Sequence, residues 1–210
     1  MRRLGPISFV EIGVSISKRS FIEGLQAVDQ VLGPQEISQR IRLAIGCVSC
    51  CSFDHELDVR VLRGYMKRDN PKANRTPENP ELFDCVVATN QSQAWQYVVW
   101  IKEILQIFDH VEARTSSKPA FLEMLRLRSV RVESDSADSP SVEADRNGFV
   151  LSMGSSVPRR YREVLRRENF REKYSLSDLE KVLFIPAEKI DFLLGDRFED
   201  VFQQALDACR

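Results

Sequence analysis

Histidine is nearly missing from this chain: there are two in 210 residues. A metal centre built on three imidazoles is therefore excluded within one chain. Long apolar runs are missing too, since none approaches the ~18 residues that a membrane span requires. The opening Met1-Arg2-Arg3-Leu4-Gly5-Pro6 has a basic pair but no continuous apolar stretch behind it, which argues against a secretory leader. No charge sign dominates. Thirty Lys and Arg stand against thirty-one Asp and Glu, a net charge of −1, so no global basic field exists to gather a polyanion. A Gly-rich phosphate loop, a G-x-S-x-G elbow and the kinase and dinucleotide fingerprints are absent. The five cysteines are odd in number, with three crowded between Cys47 and Cys51. That fits a reduced compartment better than a disulfide framework, so the expected location is cytoplasmic.

What remains is an ordinary globular composition, 43% apolar and 29% charged, on a chain long enough to bury a core. Its patterning predicts a mostly helical α+β fold: a small sheet packed on a central buried helix, with a helical C-terminal subdomain. An α+β domain over 1–131 is expected, then a flexible Ser- and Asp-rich loop at 132–142, then the helical subdomain over 143–210 packed on the first. Residues 1–19 read as an arm or edge strand. Ser20 is placed to cap a helix from Phe21 to Leu32 that Gly33-Pro34 stops, and a second helix runs from Pro34 to about Gly46. The small apolar stretch Cys47 to Phe53 precedes a partial period-two pattern over Leu57–Leu62, which suits a strand. Lys67 to Pro80, polar with three prolines, reads as a surface loop. Leu82–Thr89 reads as a buried strand. Asn90, with Gln93 in capping-box spacing, opens the strongest helix signal, Gln91–Phe108. Further helices are expected at 119–127, 143–153, 158–173, 176–183, 186–194 and 197–208.

Four groups of residues outside the central helix are candidate sites. Cys47-x-x-Cys50 with Cys51 is half of a zinc site. A closed site needs a second half, and Cys85, His55 and Cys209 form no pair. Nor does the βαβ pattern of a thioredoxin-like redox motif follow. Three half-buried thiols in a strand, with no metal and no cofactor, is the expected arrangement. His55-Glu56 opens a metallopeptidase H-E-x-x-H, but Val59 stands where the second His belongs. Arg159–Lys173 is strongly basic, and Arg159, Arg160, Arg166 and Arg167 are candidate contacts to an anionic partner; alternating Glu and Arg equally describe a solvated helix face. Tyr174–Leu194 has the outline of a helix-turn-helix. Its second helix offers Glu188, Lys189 and Asp191, a net negative charge that a duplex repels.

The most distinctive stretch is Val98–Asp109, where Lys102, Glu103 and Gln106 interrupt an apolar helix. Buried polar groups need partners, so these three are expected to meet something, with Lys102 and Glu103 as an ion pair and Gln106 hydrogen-bonded to it. A strand leading into this helix, Glu103 within it, Glu143-Ala144 opening a later helix and a helical hairpin at the end resemble the small zincin-like peptidase domains of the ImmA/IrrE type, over roughly Leu82–Leu194. That resemblance implies a helix bearing H-E-x-x-H and a third ligand near the start of the later helix. Here Lys102 and Gln106 occupy the positions of the two His, and Glu143 that of the third ligand. An ammonium and an amide do not replace imidazole, and Glu103 alone cannot hold zinc or activate water without it.

The expected function is therefore a non-catalytic regulatory or protein-interaction role on a degenerate zincin-like scaffold. Glu103 is a remnant catalytic residue, and Lys102, Gln106 and Glu143 form a polar network. The partner would be another protein approached through the C-terminal helices, with no membrane involved. One alternative is a peptidase-like hydrolase with an unusual metal site near Glu103 and Glu143, helped by His110 or Cys85. The other is a DNA-bound regulator using Arg159–Lys173 and the following hairpin.

Overall fold

A computed structural model describes residues 16–59, 63–69, 82–108 and 140–209. The first helix, α1 (Lys18–Gln26), starts earlier than the sequence suggests because Ser17, not Ser20, is the cap: its Oγ accepts from the Ser20 amide at 3.1 Å. It also ends six residues short of Leu32. The Leu32 amide is engaged elsewhere, donating to the Ser156 carbonyl at 2.7 Å. Helix α2 (Pro34–Ile45) follows with Pro34 in its first turn, and stops at Gly46.

Three strands form one mixed sheet: β1 (Val48–Asp54), β2 (Gly64–Asp69) and β3 (Leu82–Ala88), in the order β1-β3-β2. β1 runs parallel to β3 and β2 antiparallel to it. Two expectations need correction. Leu57, Asp58 and Val59 are not strand, and the rest of that stretch lies outside the described residues. Lys67 to Asp69, read as the start of a surface loop, belong to β2. Charged residues disguise this strand because it is an edge, where Lys is common.

Helix α3 (Gln93–Leu105) lies across the sheet and closes with a 3-10 turn at Gln106–Phe108. Its cap is Ser92 rather than Asn90, with Oγ accepting from the Trp95 amide at 3.3 Å. A Cβ on Gly64 would stand 2.6 Å from the Val99 side chain, so helix and sheet approach closely there. Gly64 is paired with Val87, so Val87, Cys85 and Phe83 share the face turned to α3, and all three are buried. The expected helix at 119–127 lies outside the described residues, as do the first fifteen residues and most of the Ser-rich loop.

Six helices follow among the described residues: α4 (Pro140–Ser156), α5 (Arg159–Arg167), α6 (Phe170–Lys173), α7 (Leu176–Leu183), α8 (Ala187–Leu193) and α9 (Arg197–Asp207). α4 begins three residues before the expected start and runs three beyond the expected end. The single helix expected over 158–173 is broken at Asn169, whose positive φ of 49° ends α5 and starts α6. The observed architecture is mostly helical α+β with a small sheet, as the patterning implies. α3 packs on β2, β3, α2 and α4, and α4 packs on α1 and α9. Buried side chains from both halves, among them Ile22, Ile41, Phe83, Ile101, Leu151, Leu183, Ile190 and Phe198, form one contiguous core.

Candidate functional site

Glu103 sits in the last turns of α3 and is 2% exposed. A carboxylate so deep in apolar surroundings persists only if its oxygens are occupied. Lys102 Nζ donates to Oε1 at 3.2 Å and Gln106 Nε2 to Oε2 at 2.6 Å. Consecutive helical residues do not normally face each other. Lys102 reaches its neighbour while its methylenes lie against Gly148 of α4 and its ammonium stands 4.9 Å from the Phe149 ring centre. Lys102, Glu103 and Gln106 are thus brought together, with Lys102 against α4. Glu143 lies in the first turn of α4, and its side chain is outside the described residues. His110 is also outside them.

Cys85 lies on the sheet face beneath α3. Burial, then the charge of Glu103, then Cys51, Asp84 and Cys50 push its thiol well above the ordinary value. Cys51, directly across from Cys85 in the parallel ladder, is pushed up to about 12 by burial, by Asp84 and by Cys50. Metal-binding and nucleophilic cysteines need the thiolate, which these surroundings oppose. The three crowded cysteines are not gathered either: Cys47 is buried just before β1 with its Sγ 3.9 Å from the Ile45 carbonyl, exposed Cys50 has its Sγ 3.4 Å from the Phe83 carbonyl, and Cys51, the next strand residue, points to the opposite face.

On the Cys50 face lies a polar row that sequence reading missed. Asp84, 6% exposed, accepts from Ser52 Oγ at 2.9 Å, pairs with Lys67 Nζ at 2.8 Å and has Cys50 Sγ at 3.7 Å. The available signal was an acid in the middle of the apolar strand LFDCVVA.

The basic helix α5 is divided between two tasks. Arg162 is fully buried. Its Nε and Nη2 donate to the two Glu199 oxygens at 3.1 and 2.9 Å, and Nη1 donates to the Val157 carbonyl. Phe198 and Phe202 lie 4.9 and 5.5 Å from the guanidinium. Burial lowers the Arg162 pKa, opposed by Glu199. Burial also acts to raise the pKa of Glu199, but bonds and charge from Arg162 and Arg166 outweigh it and leave this acid below its ordinary value. Arg166 turns inward as well, donating to Glu199 at 3.0 Å and to the Leu194 carbonyl at 2.9 Å at the end of α8. Arg159, Arg160 and Arg167 stay on the surface. Neither Arg162 nor Glu199 stood out in sequence; the clue was Arg162 in helical register with Leu165.

The α7–α8 hairpin docks on the start of α3. Trp95 Nε1 donates to Glu188 at 2.7 Å, Tyr97 meets Phe184 edge-on at 5.1 Å, and the Arg63 guanidinium lies 4.0 Å from the Trp95 ring centre. Asp191 pairs with Arg171 at 2.6 Å. The acids of the second hairpin helix are therefore engaged in internal contacts.

Among the described residues, no three His, Cys, Asp or Glu side chains are grouped to hold a metal ion. No described helix is long and apolar enough to cross a membrane. No family model, curated protein or solved structure matches the chain.

Proposed function

We propose that this chain is a non-catalytic regulatory or protein-interaction protein on a degenerate zincin-like scaffold. The observation that supports this most is the closure of Glu103. A general base must reach a water or substrate proton along an open path, whereas both Glu103 oxygens are hydrogen-bonded inside the helix packing. Lys102 and Gln106, at the positions of imidazole ligands in the resembling peptidases, serve here as donors to the carboxylate. The network does the work of an ion pair within α3, and its Lys102 member also packs on Gly148 and Phe149 of α4. The hydrolase reading would require two neutral nitrogen or sulfur donors beside Glu103, and burial and the charge of Glu103 push the Cys85 thiol well above its ordinary value, against forming a thiolate ligand. The test is hydrolysis of an unstructured protein such as casein by protein supplemented with zinc, comparing wild type with Glu103→Gln. No turnover in either is expected. Zinc-dependent turnover lost in a folded Glu103→Gln variant would overturn the proposal.

A further inference from the structure

The surface arginines of α5 border a groove of about 540 Å³ between α1 and α5, lined by Gln26, Arg159, Arg160, Glu163, Val164 and Arg167. Arg160, Val164 and Arg167 follow one another at i, i+4 and i+7, so they form a stripe along one side of the helix. Val164 is 45% exposed at its centre. The cations at either end are weakly committed. Arg160 pairs with Asp29 at 2.8 Å, but both side chains are largely exposed, and such pairs are worth little and exchange readily. Arg167 makes no ion pair among the described residues. The wall is fixed: Gln26 Nε2 donates to the Gly154 carbonyl at 2.8 Å, and Gln26 Oε1 accepts from the Arg159 amide at 3.1 Å.

Resting on the interaction reading above, we infer that this groove docks an acidic amphipathic helix of a partner protein, with an aliphatic anchor on Val164 and carboxylates on Arg160 and Arg167. The spacing suits a helix, because carboxylates one turn either side of an aliphatic residue repeat at the same interval. Arginine favours the fork geometry of carboxylates. A nucleic acid fits less well. Its phosphate backbone presents nothing apolar to Val164, which is 45% exposed between the two arginines.

The experiment is fluorescence anisotropy of the full chain with a fluorescein-labelled, Ala-based helical peptide of about 15 residues carrying Glu, Leu and Glu at this spacing. A peptide with Ser in place of Leu and a labelled DNA duplex serve as comparisons. Binding is expected in the micromolar range. It should weaken about tenfold or more with Arg160→Glu/Arg167→Glu and with Val164→Asp, and also with the Ser peptide. All these positions are exposed, so unchanged circular dichroism is expected of the variants. No binding by about 1 mM peptide would overturn the inference, as would binding that ignores these substitutions. Duplex binding that is tighter than the peptide's and lost in the Arg variant would overturn it in favour of a polyanion site. Glu103-dependent hydrolysis would overturn the interaction reading by a separate readout, so the two failures are distinguishable.

Discussion

Substituting either end of the Arg162–Glu199 pair should have unequal consequences. Glu199→Gln keeps shape but leaves a fully buried guanidinium facing neutral acceptors only, the carbonyls of Val157 and Gly154 and the Gln26 side chain. Stranding one charge of a buried pair costs about 3 kcal/mol. For a chain of this size that is roughly 6–12 °C of melting temperature. Arg162→Met strands much less. Glu199 is a quarter exposed and retains Arg166 at 3.0 Å, so the main loss is the donor to the Val157 carbonyl, about 1–2 kcal/mol. The double variant removes the buried charge that makes Glu199→Gln costly, and should be more stable than Glu199→Gln alone. Urea unfolding followed by circular dichroism measures all three. Equal costs for the two single variants, or a double variant at the sum of both, would refute the reasoning. The pair also sets an acid dependence. Glu199 is held below its ordinary value, so its contribution is complete above about pH 4.3 and is lost as pH falls through the folded value. Glu199→Gln should flatten that limb of the stability curve.

Three further outcomes follow from packing and burial. The raised thiols of Cys51 and Cys85 make folding less favourable once unfolded cysteines ionise, so stability should fall as pH rises from about 8.5 toward the folded values; Cys51→Ser/Cys85→Ala should reduce that slope in alkaline urea titrations. At pH 8 a thiol reagent should label exposed Cys50 in the native protein and reach Cys51 and Cys85 only on unfolding, as peptide mapping by mass spectrometry would show. Gly154→Ala places a Cβ 2.2 Å from the Phe202 ring and should cost about 1–3 kcal/mol, whereas Gly24→Ala in α1 meets nothing within 4 Å and should add about 0.5–1 kcal/mol, both read from thermal melts.

The helices were legible where apolar spacing and punctuation agree. Pro34 and Gly46 bracket α2, and Leu176, Leu179 and Leu183 with Pro186 outline the hairpin. Boundaries failed where a hydroxyl chose between neighbours, as Ser17 and Ser92 cap in place of Ser20 and Asn90. β2 was illegible because an edge strand can carry Lys67 without burying it. At the candidate site, the pairing of Lys102, Glu103 and Gln106 was readable, since three polar residues inside an apolar helix demand partners. The Asp84 row and the Arg162–Glu199 pair were not. Each joins residues far apart in sequence, and nothing local marks which charge of a mixed segment turns inward.

The most direct check on Glu103 as a structural ion pair is the unfolding free energy of Lys102→Met measured in two backgrounds, wild type and Glu103→Leu. In the wild type the substitution takes the Lys102 ammonium from a carboxylate that is 2% exposed and leaves it the neutral Gln106 donor, and a loss of about 3 kcal/mol is expected. In the Glu103→Leu background no charge remains to strand, and the loss should shrink to within about 1 kcal/mol of zero. An equal effect of Lys102→Met in both backgrounds would contradict the structural role of the network.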